Sequence, residues 1–396
     1  MAYAAKTCDV HAYGAKGDGV TKDTAAIQSA IDDCAKAGGG IVLLGKSAAF
    51  LSAPLVLRSN ITLDIAKETT LKGSTDHDDY PSVTEFRQPA RQALLSSEGA
   101  DNITIRGGGV IDGQGQSWWE HARGNPDYLR PRLIVFSHTK HVLMENITAQ
   151  NAAFWQIVAY YSNDLTFRNM TVLAPEHAPN TDGIDPFSSS HVLIEHVRID
   201  TGDDNVAIKS GQPGSLGPDA PSHDIIVRNC VFQHGHGLSV GSEVAGGVQH
   251  LLAEHISFTG TDNGIRVKSN RDRGADISDL VYRNITMHDV KMPILITMFY
   301  PKIPDAIEPA PVTRLTPRFH DISLTDVQAS GGANTVVIVG LPESPITGLK
   351  LTHVTVSGQK GASIQYANVV VDGFTVHPDT GEAVHLGAGV TGNLPR

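Results

Sequence analysis

The chain repeats itself. From about residue 60 onward, short segments of alternating apolar and polar residues recur: NITLDI at 60, NITIRG at 102, HVLMENI at 141, DLTFRNM at 164, HVLIEHV at 191, DIIVRNC at 224, HLLAEHI at 250, DLVYRNI at 279, DISLTDV at 321 and GLKLTHV at 348. On the second residue of each, from Ile103 through Val142, Leu165, Val192, Ile225, Leu251, Leu280 and Ile322 to Leu349, the steps are 39, 23, 27, 33, 26, 29, 42 and 27 residues. A base period in the twenties, lengthened by insertions, admits two or three short strands and their turns but no strand-helix unit. No helical pattern fills the gaps. The repeat therefore predicts an all-β chain, a parallel β-helix of about ten coils, in which alternate residues of each strand face inward and outward.

The first 50 residues are different. Asp23 stands where a helix N-cap would, and Ala26, Ile27, Ala30, Ile31, Cys34 and Ala35 recur at helical spacing until Gly38, Gly39 and Gly40 end the pattern. We expect one amphipathic helix over about 24–37 that covers the open end of the stack, within a cap of residues 1–50. Residues 51–396 then form the coils of a single domain. Asn60, Asn102, Asn146, Asn169 and Asn284 sit in formal glycosylation triplets. Because these recur with the repeat, they read as turn and ladder residues.

Three cysteines, Cys8, Cys34 and Cys230, leave at least one thiol unpaired. Buried, inert thiols are the expectation, with a Cys8–Cys34 bridge as the alternative that spacing alone does not decide. The formal charge of -11, with no Lys/Arg-rich run, argues against nucleic-acid binding. No run of 18 apolar residues exists to span a membrane, and the N-terminus lacks the apolar core of an export signal.

The chemistry appears when the second strands of four repeats are aligned without gaps: DGIDPFSS from Asp182, DNVAIKSG from Asp204, HGLSVGSE from His236 and NGIRVKSN from Asn263. Ile184, Val206, Leu238 and Ile265 form one inward column; Pro186, Ile208, Val240 and Val267 form the next. Asp185, Ala207, Ser239 and Arg266 then face outward, as do Phe187, Lys209, Gly241 and Lys268. Asp182, Asp204, His236 and Asn263 share one register position, spaced about 4.8 Å per coil, with Asp203 beside Asp204. A purely structural protein has no reason to gather such carboxylates on one face. Glycoside hydrolysis needs one protonated carboxyl and one ionised carboxylate, and crowded acids flanked by cations supply both states. Arg266 and Lys268 are suited to an acidic sugar's carboxylate.

The motifs NTDGID (Asn180 to Asp185), GDDNVAIKSG (Gly202 to Gly211), GHG (Gly235 to Gly237) and RVK (Arg266 to Lys268) resemble, in order and position, the four signature motifs of polygalacturonases in glycoside hydrolase family 28. The resemblance runs from YGAKGDGVTKDTAAIQ near residue 13, through IDGQGQSWW at 111, to KMPILITMFY at 291, with Val267 where the family usually has Ile. It implies a right-handed, single-stranded β-helix that hydrolyses the α-1,4 linkages of polygalacturonate with inversion. By the same resemblance Asp203 is the general acid, Asp182 and Asp204 position and deprotonate the water, and His236 supports the acid. Arg266 and Lys268 hold a galacturonate carboxylate, while Asn180 and Tyr300 line neighbouring subsites. No metal or other cofactor is implied. A monomer, secreted or periplasmic with its signal removed, is expected.

Other readings remain open at this level. Lys209 is a substrate contact or a solvated lysine, and Trp118 and Trp119 stack on sugars or pack under a loop. A calcium-dependent pectate lyase, a rhamnogalacturonan or xylogalacturonan hydrolase and a non-catalytic carbohydrate-binding β-helix share the architecture. Attack within the polymer is favoured over removal of end units. The loops that could reverse this are sought at 212–222, 269–278 and 300–318.

Overall fold

In the computed structural model, residues 6–45, 49–217 and 219–394 are described. The parts of the expected cap at 1–5 and 46–48, and residue 218 of one candidate loop, lie outside them. Thirty strands belong to one sheet whose strand pairs, among the described residues, are parallel, and a separate antiparallel pair joins Ser82–Glu85 to Gln88–Arg91. The parallel β-helix read from the repeat is the fold. By contact the chain divides into two compact units, one of Met1–Asp185 with Val192–Asp203 and one of Pro186–His191 with Asp204–Arg396.

In each unit the repeat stacks as the sequence aligned it. Val142 pairs with Leu165 in the first, and Ile225, Leu251, Leu280 and Ile322 pair in succession in the second. The corners explain why the polar residues at the ends of each repeat recur. His141, Asp164, His191, Asp224, His250, Asp279 and Asp321 open their repeats with φ between 52° and 57°. Five residues on, Asn146, Asn169, His196, Asn229, His255, Asn284 and Asp326 do the same, with φ between 50° and 54°. Asn, Asp and His are enriched in the left-handed region among residues that bear a Cβ. Asn60, Asn102, Asn146, Asn169 and Asn284 are therefore corner residues, and Asn102 donates to Asn60 along a ladder at 3.0 Å.

The expected helix is α1, Thr24–Lys36, with Ile27, Ala30, Ile31 and Cys34 buried. Asp23 does not cap it. Its carboxylate accepts instead from the backbone N–H groups of Lys16 and Gly17 at 2.7 and 2.9 Å, tying down the preceding loop. The cysteine expectation is also corrected: Cys8 and Cys34 form a disulfide with Cα atoms 6.2 Å apart, within the range a bridge requires, and only Cys230 is a free thiol, buried. The bond fastens α1 to strand Lys6–Asp9. It closes a 26-residue separation, so Cys34→Ala is expected to cost about 2–4 kcal/mol in urea unfolding. A loss under about 0.5 kcal/mol would mean that the bond ties together nothing the cap itself does not.

A second helix was not foreseen. α2, Gln116–Gly124, is too short to show a period against its flanks. It buries Trp118 against His77, stacked at 3.5 Å, and Trp119 donates its indole N–H to the Ala152 carbonyl at 3.0 Å. Both tryptophans pack; neither is an open platform.

Candidate active site

In the second unit the aligned strands hold the expected register: Val206 pairs with Leu238 and Leu238 with Ile265, while Ile208 pairs with Val240 and Val240 with Val267. Phe187 and Lys209 face each other across a parallel bridge, which fixes the alignment one coil earlier. Ser239 and Arg266, adjacent on the outer face, thereby converge on the turn ahead of Val206–Ile208, which carries Asp204.

Asp204 is the centre of this cluster and is only 2% exposed. Its Oδ1 accepts from Ser239 Oγ at 2.8 Å and from Arg266 Nη1 at 3.2 Å, and its Oδ2 accepts from Lys268 Nζ at 2.7 Å. Burial alone would raise its pKa, but Lys268, Arg266 and His236 outweigh that and hold the carboxyl far below the ordinary carboxylate range. Asp204 is a permanent anion. Both its oxygens are engaged by cationic donors, which makes it a poor seat for a metal ion.

The two cations stand on the outer face of the coil as expected, but they are spent on this carboxylate and largely covered, Lys268 being only 5% exposed. The reason is local: a buried carboxylate two coils away would be ruinous without a counter-charge. The guanidinium of Arg266 and the ammonium of Lys268 also stand 5.7 and 5.2 Å from the ring centroid of Tyr300, whose backbone N–H is held by Ser269. His236 lies 4.0 Å from Asp204 through Nδ1 and 3.5 Å from Asp262 through Nε2. Its turn is clamped by Asn205, which sequence reasoning passed over. The buried Asn205 side chain accepts from Gly237 N–H at 2.9 Å and donates to the His234 carbonyl at 3.1 Å. Gly237, at φ 78°, presses on the backbone of Asn263 and Gly264, leaving no space for a Cβ.

Lys209 is neither solvated nor open to a ligand. It is 4% exposed, and its charge, with that of Lys268, helps hold Glu243 ionised against the burial that would raise that carboxyl's pKa.

In the first unit, Asp182 is buried on a turn whose carbonyl accepts from Gln156 N–H at 2.8 Å. Thr181 stitches the turn, donating to the Ala178 carbonyl and accepting from Gly202 N–H, one residue ahead of the half-buried Asp203. Asn180, in the left-handed region at φ 56°, accepts from Arg130 at 2.6 Å. Arg130 is the main residue the sequence did not reveal. It is 6% exposed, bonds the carbonyls of Ala153 and Pro179, and lies over the ring of Phe154. Burial pulls its pKa down to about 10 against the pull of Asp182 and Asp203, so those carboxylates share its field. Nothing in the repeat marks it, since it precedes a strand in an insertion. Arg130→Lys is expected to cost about 1–3 kcal/mol in urea unfolding, because a point charge cannot reproduce three directed bonds. Unchanged stability would show that these bonds are replaceable by water.

Sequence comparison agrees with the geometry. Residues 38–374 match the pattern of glycosyl hydrolases family 28. A probable polygalacturonase of Vitis vinifera is 29% identical over 95% of this chain and 80% of its own length. An endo-polygalacturonase of Pectobacterium carotovorum subsp. carotovorum is 33% identical over 70% of this chain and 72% of its own. The crystal structure of a hyperthermoactive exopolygalacturonase from Thermotoga maritima superposes with a TM-score of 0.81 at 26% identity, covering 94% of this chain and 91% of that one.

Proposed function

Since the chain belongs to glycosyl hydrolases family 28 and is a glycoside hydrolase of the polygalacturonase kind, we propose that it cleaves the α-1,4-galacturonosyl linkages of de-esterified pectin with inversion at the anomeric carbon. The observation that carries this reading is Asp204, an anion fixed by Arg266 and Lys268 and joined by a peptide bond to the less buried Asp203. One carboxyl locked in its charged form beside a second, more exposed carboxyl is the pairing on which an acid/base hydrolysis is built.

In this mechanism Asp203 protonates the departing glycosidic oxygen while Asp182 and Asp204 position and deprotonate the water between them. Asp204 is the fixed anion that orients it, and Asp182 is the group that takes its proton. His236 supports the proton on Asp203. Arg266 is the main anchor for the galacturonate carboxylate: its side chain remains 13% exposed while Nη1 serves Asp204, so part of its charge faces the site. Lys268 adds charge to that anchor, and Asn180 and Tyr300 flank the reacting sugar. Because the protein carries a formal charge of -11, long-range attraction does not gather this polyanion, and local cations must. A secreted or periplasmic monomer fits the Cys8–Cys34 disulfide, which persists in oxidising compartments.

Incubation with polygalacturonate, followed by reducing-end assay and by NMR of the first anomer formed, tests the reading. New reducing ends with an inverted anomer are expected. Unsaturated products absorbing in the near ultraviolet, or no new ends, would overturn it. The sequence favoured attack within the polymer; the first unit contains a feature that argues for the polymer's end.

A further inference from the structure

We infer that the hairpin formed by Ser82–Glu85 and Gln88–Arg91 bars the sheet face beside Asp182, so that the enzyme removes sugars from a chain end; this rests on the function proposed above. The hairpin is the one antiparallel pair of strands among the described residues, an insertion the repeat does not need. Its tip touches both ends of the neighbouring parallel strands. Glu85 pairs with Arg132 at 2.8 Å, just ahead of Ile134–Ser137. Phe86 stacks on Tyr161 at 5.1 Å and 9°, and tilts against Tyr160 at 5.4 Å, at the far end of Ile157–Tyr160. Because Ile134 pairs with Ile157, these contacts stand at opposite ends of two adjacent strands, and the hairpin bridges the outward face between them.

Asp182 belongs to the next coil, since its carbonyl takes the Gln156 N–H immediately before Ile157. The rise per coil is about 4.8 Å. A polymer lying along the stack past Asp182 therefore meets the hairpin after one coil. The Arg132 side of the bar is continuous, because that guanidinium also lies over the rings of Phe154 and Trp155, at 5.2 and 4.7 Å. A cavity of about 560 Å³ under the hairpin reaches back to Val56 and Ser96, and neither Arg132, Trp155 nor Asp182 lines it. Its lining comes from the hairpin and from the coils that precede the Asp182 turn.

The tip's backbone is unusual. Phe86 and Arg87 occupy the two turn positions with φ 46° and 66°, where such hairpins favour Asn-Gly. Bulky residues held there signal a requirement for their side chains. Phe86 is nearly buried in its aromatic stack, and Arg87 lies 5.3 Å from its ring, a cation placed where an acidic end sugar would arrive.

Product analysis on polygalacturonate decides the matter. From the first turnovers the enzyme is expected to release galacturonate monomer, with solution viscosity falling slowly for each bond broken. Replacing residues 83–90 by a short Gly-Ser turn is expected to release mixed oligomers and to speed viscosity loss per bond several-fold. Phe86→Gly with Arg87→Gly, which retains the Glu85–Arg132 pair, shifts products the same way and serves if the larger change fails to fold. A ladder of oligomers from the unaltered enzyme overturns the inference. So does monomer-only release by a folded variant whose hairpin is gone. Absence of any hydrolysis, by contrast, removes the proposed function itself.

Discussion

Asp203→Asn is expected to lower kcat by roughly 10²- to 10⁴-fold on polygalacturonate while the chain unfolds at the same urea concentration as its parent. The amide is close in shape to the carboxyl but has no proton to give the departing oxygen. Asp203 is half-buried at the end of a turn that Thr181 and Gly202 already stitch, and Asn keeps the shape of the side chain in that turn. A substrate with a better leaving group needs less protonation and should lose less. Near-parental turnover by a folded variant would remove Asp203 from the role of acid.

Lys268→Ala is expected to be the most destabilising change at the site, by about 3–5 kcal/mol at neutral pH, because it strands a buried carboxylate. The sign of its pH dependence is diagnostic. Asp204 has a folded pKa below its unfolded value, so its stabilisation is complete above the unfolded pKa and is lost as pH falls through the folded one. Without Lys268, burial pushes the carboxyl upward and it takes a proton more readily. The penalty should therefore shrink on acidification toward about pH 3, where a protonated carboxyl no longer needs a cation. Urea unfolding at both pH values checks this, with Arg283→Ala as the control. Arg283 pairs with Glu254 but is half-exposed, and such pairs contribute under about 1 kcal/mol. Equal, small losses for both variants would show that Asp204 does not depend on Lys268.

What the sequence disclosed follows from how local its causes are. The stacking of Val206 on Leu238 and of Leu238 on Ile265 was readable because a one-residue slip would turn every apolar side chain outward. The corners were readable because few residue types besides glycine accept positive φ. Lys209 was misjudged because alternation tells inside from outside of a coil, not whether other chain segments cover the outer face. Ser239, Lys209 and Lys268 all point outward and all are buried. Arg130, α2 and the Ser82–Arg91 hairpin share another cause: they lie in insertions, where no period constrains them, and their partners are distant in sequence. The disulfide needed geometry, since Cys8 and Cys34 meet only because α1 folds back on strand Lys6–Asp9.

That fastening bears on how the protein would be made and stored. α1 lies against strands Lys6–Asp9 and Gly40–Leu44, at the place where a stack of parallel strands begins. A bare stack end is a row of backbone donors and acceptors able to recruit strands from another molecule, and coils that already repeat offer a ready template for end-to-end growth. In a reducing cytosol the bridge does not form, and the helix is held by its apolar face and by polar contacts such as Lys6–Asp33, Arg58–Asp32 and Gln28 to the Val56 backbone. Polymerisation, more than loss of catalysis, is then the hazard of producing this enzyme without an oxidising step, and reduced preparations should grow in sedimentation size with concentration while bridged ones stay constant.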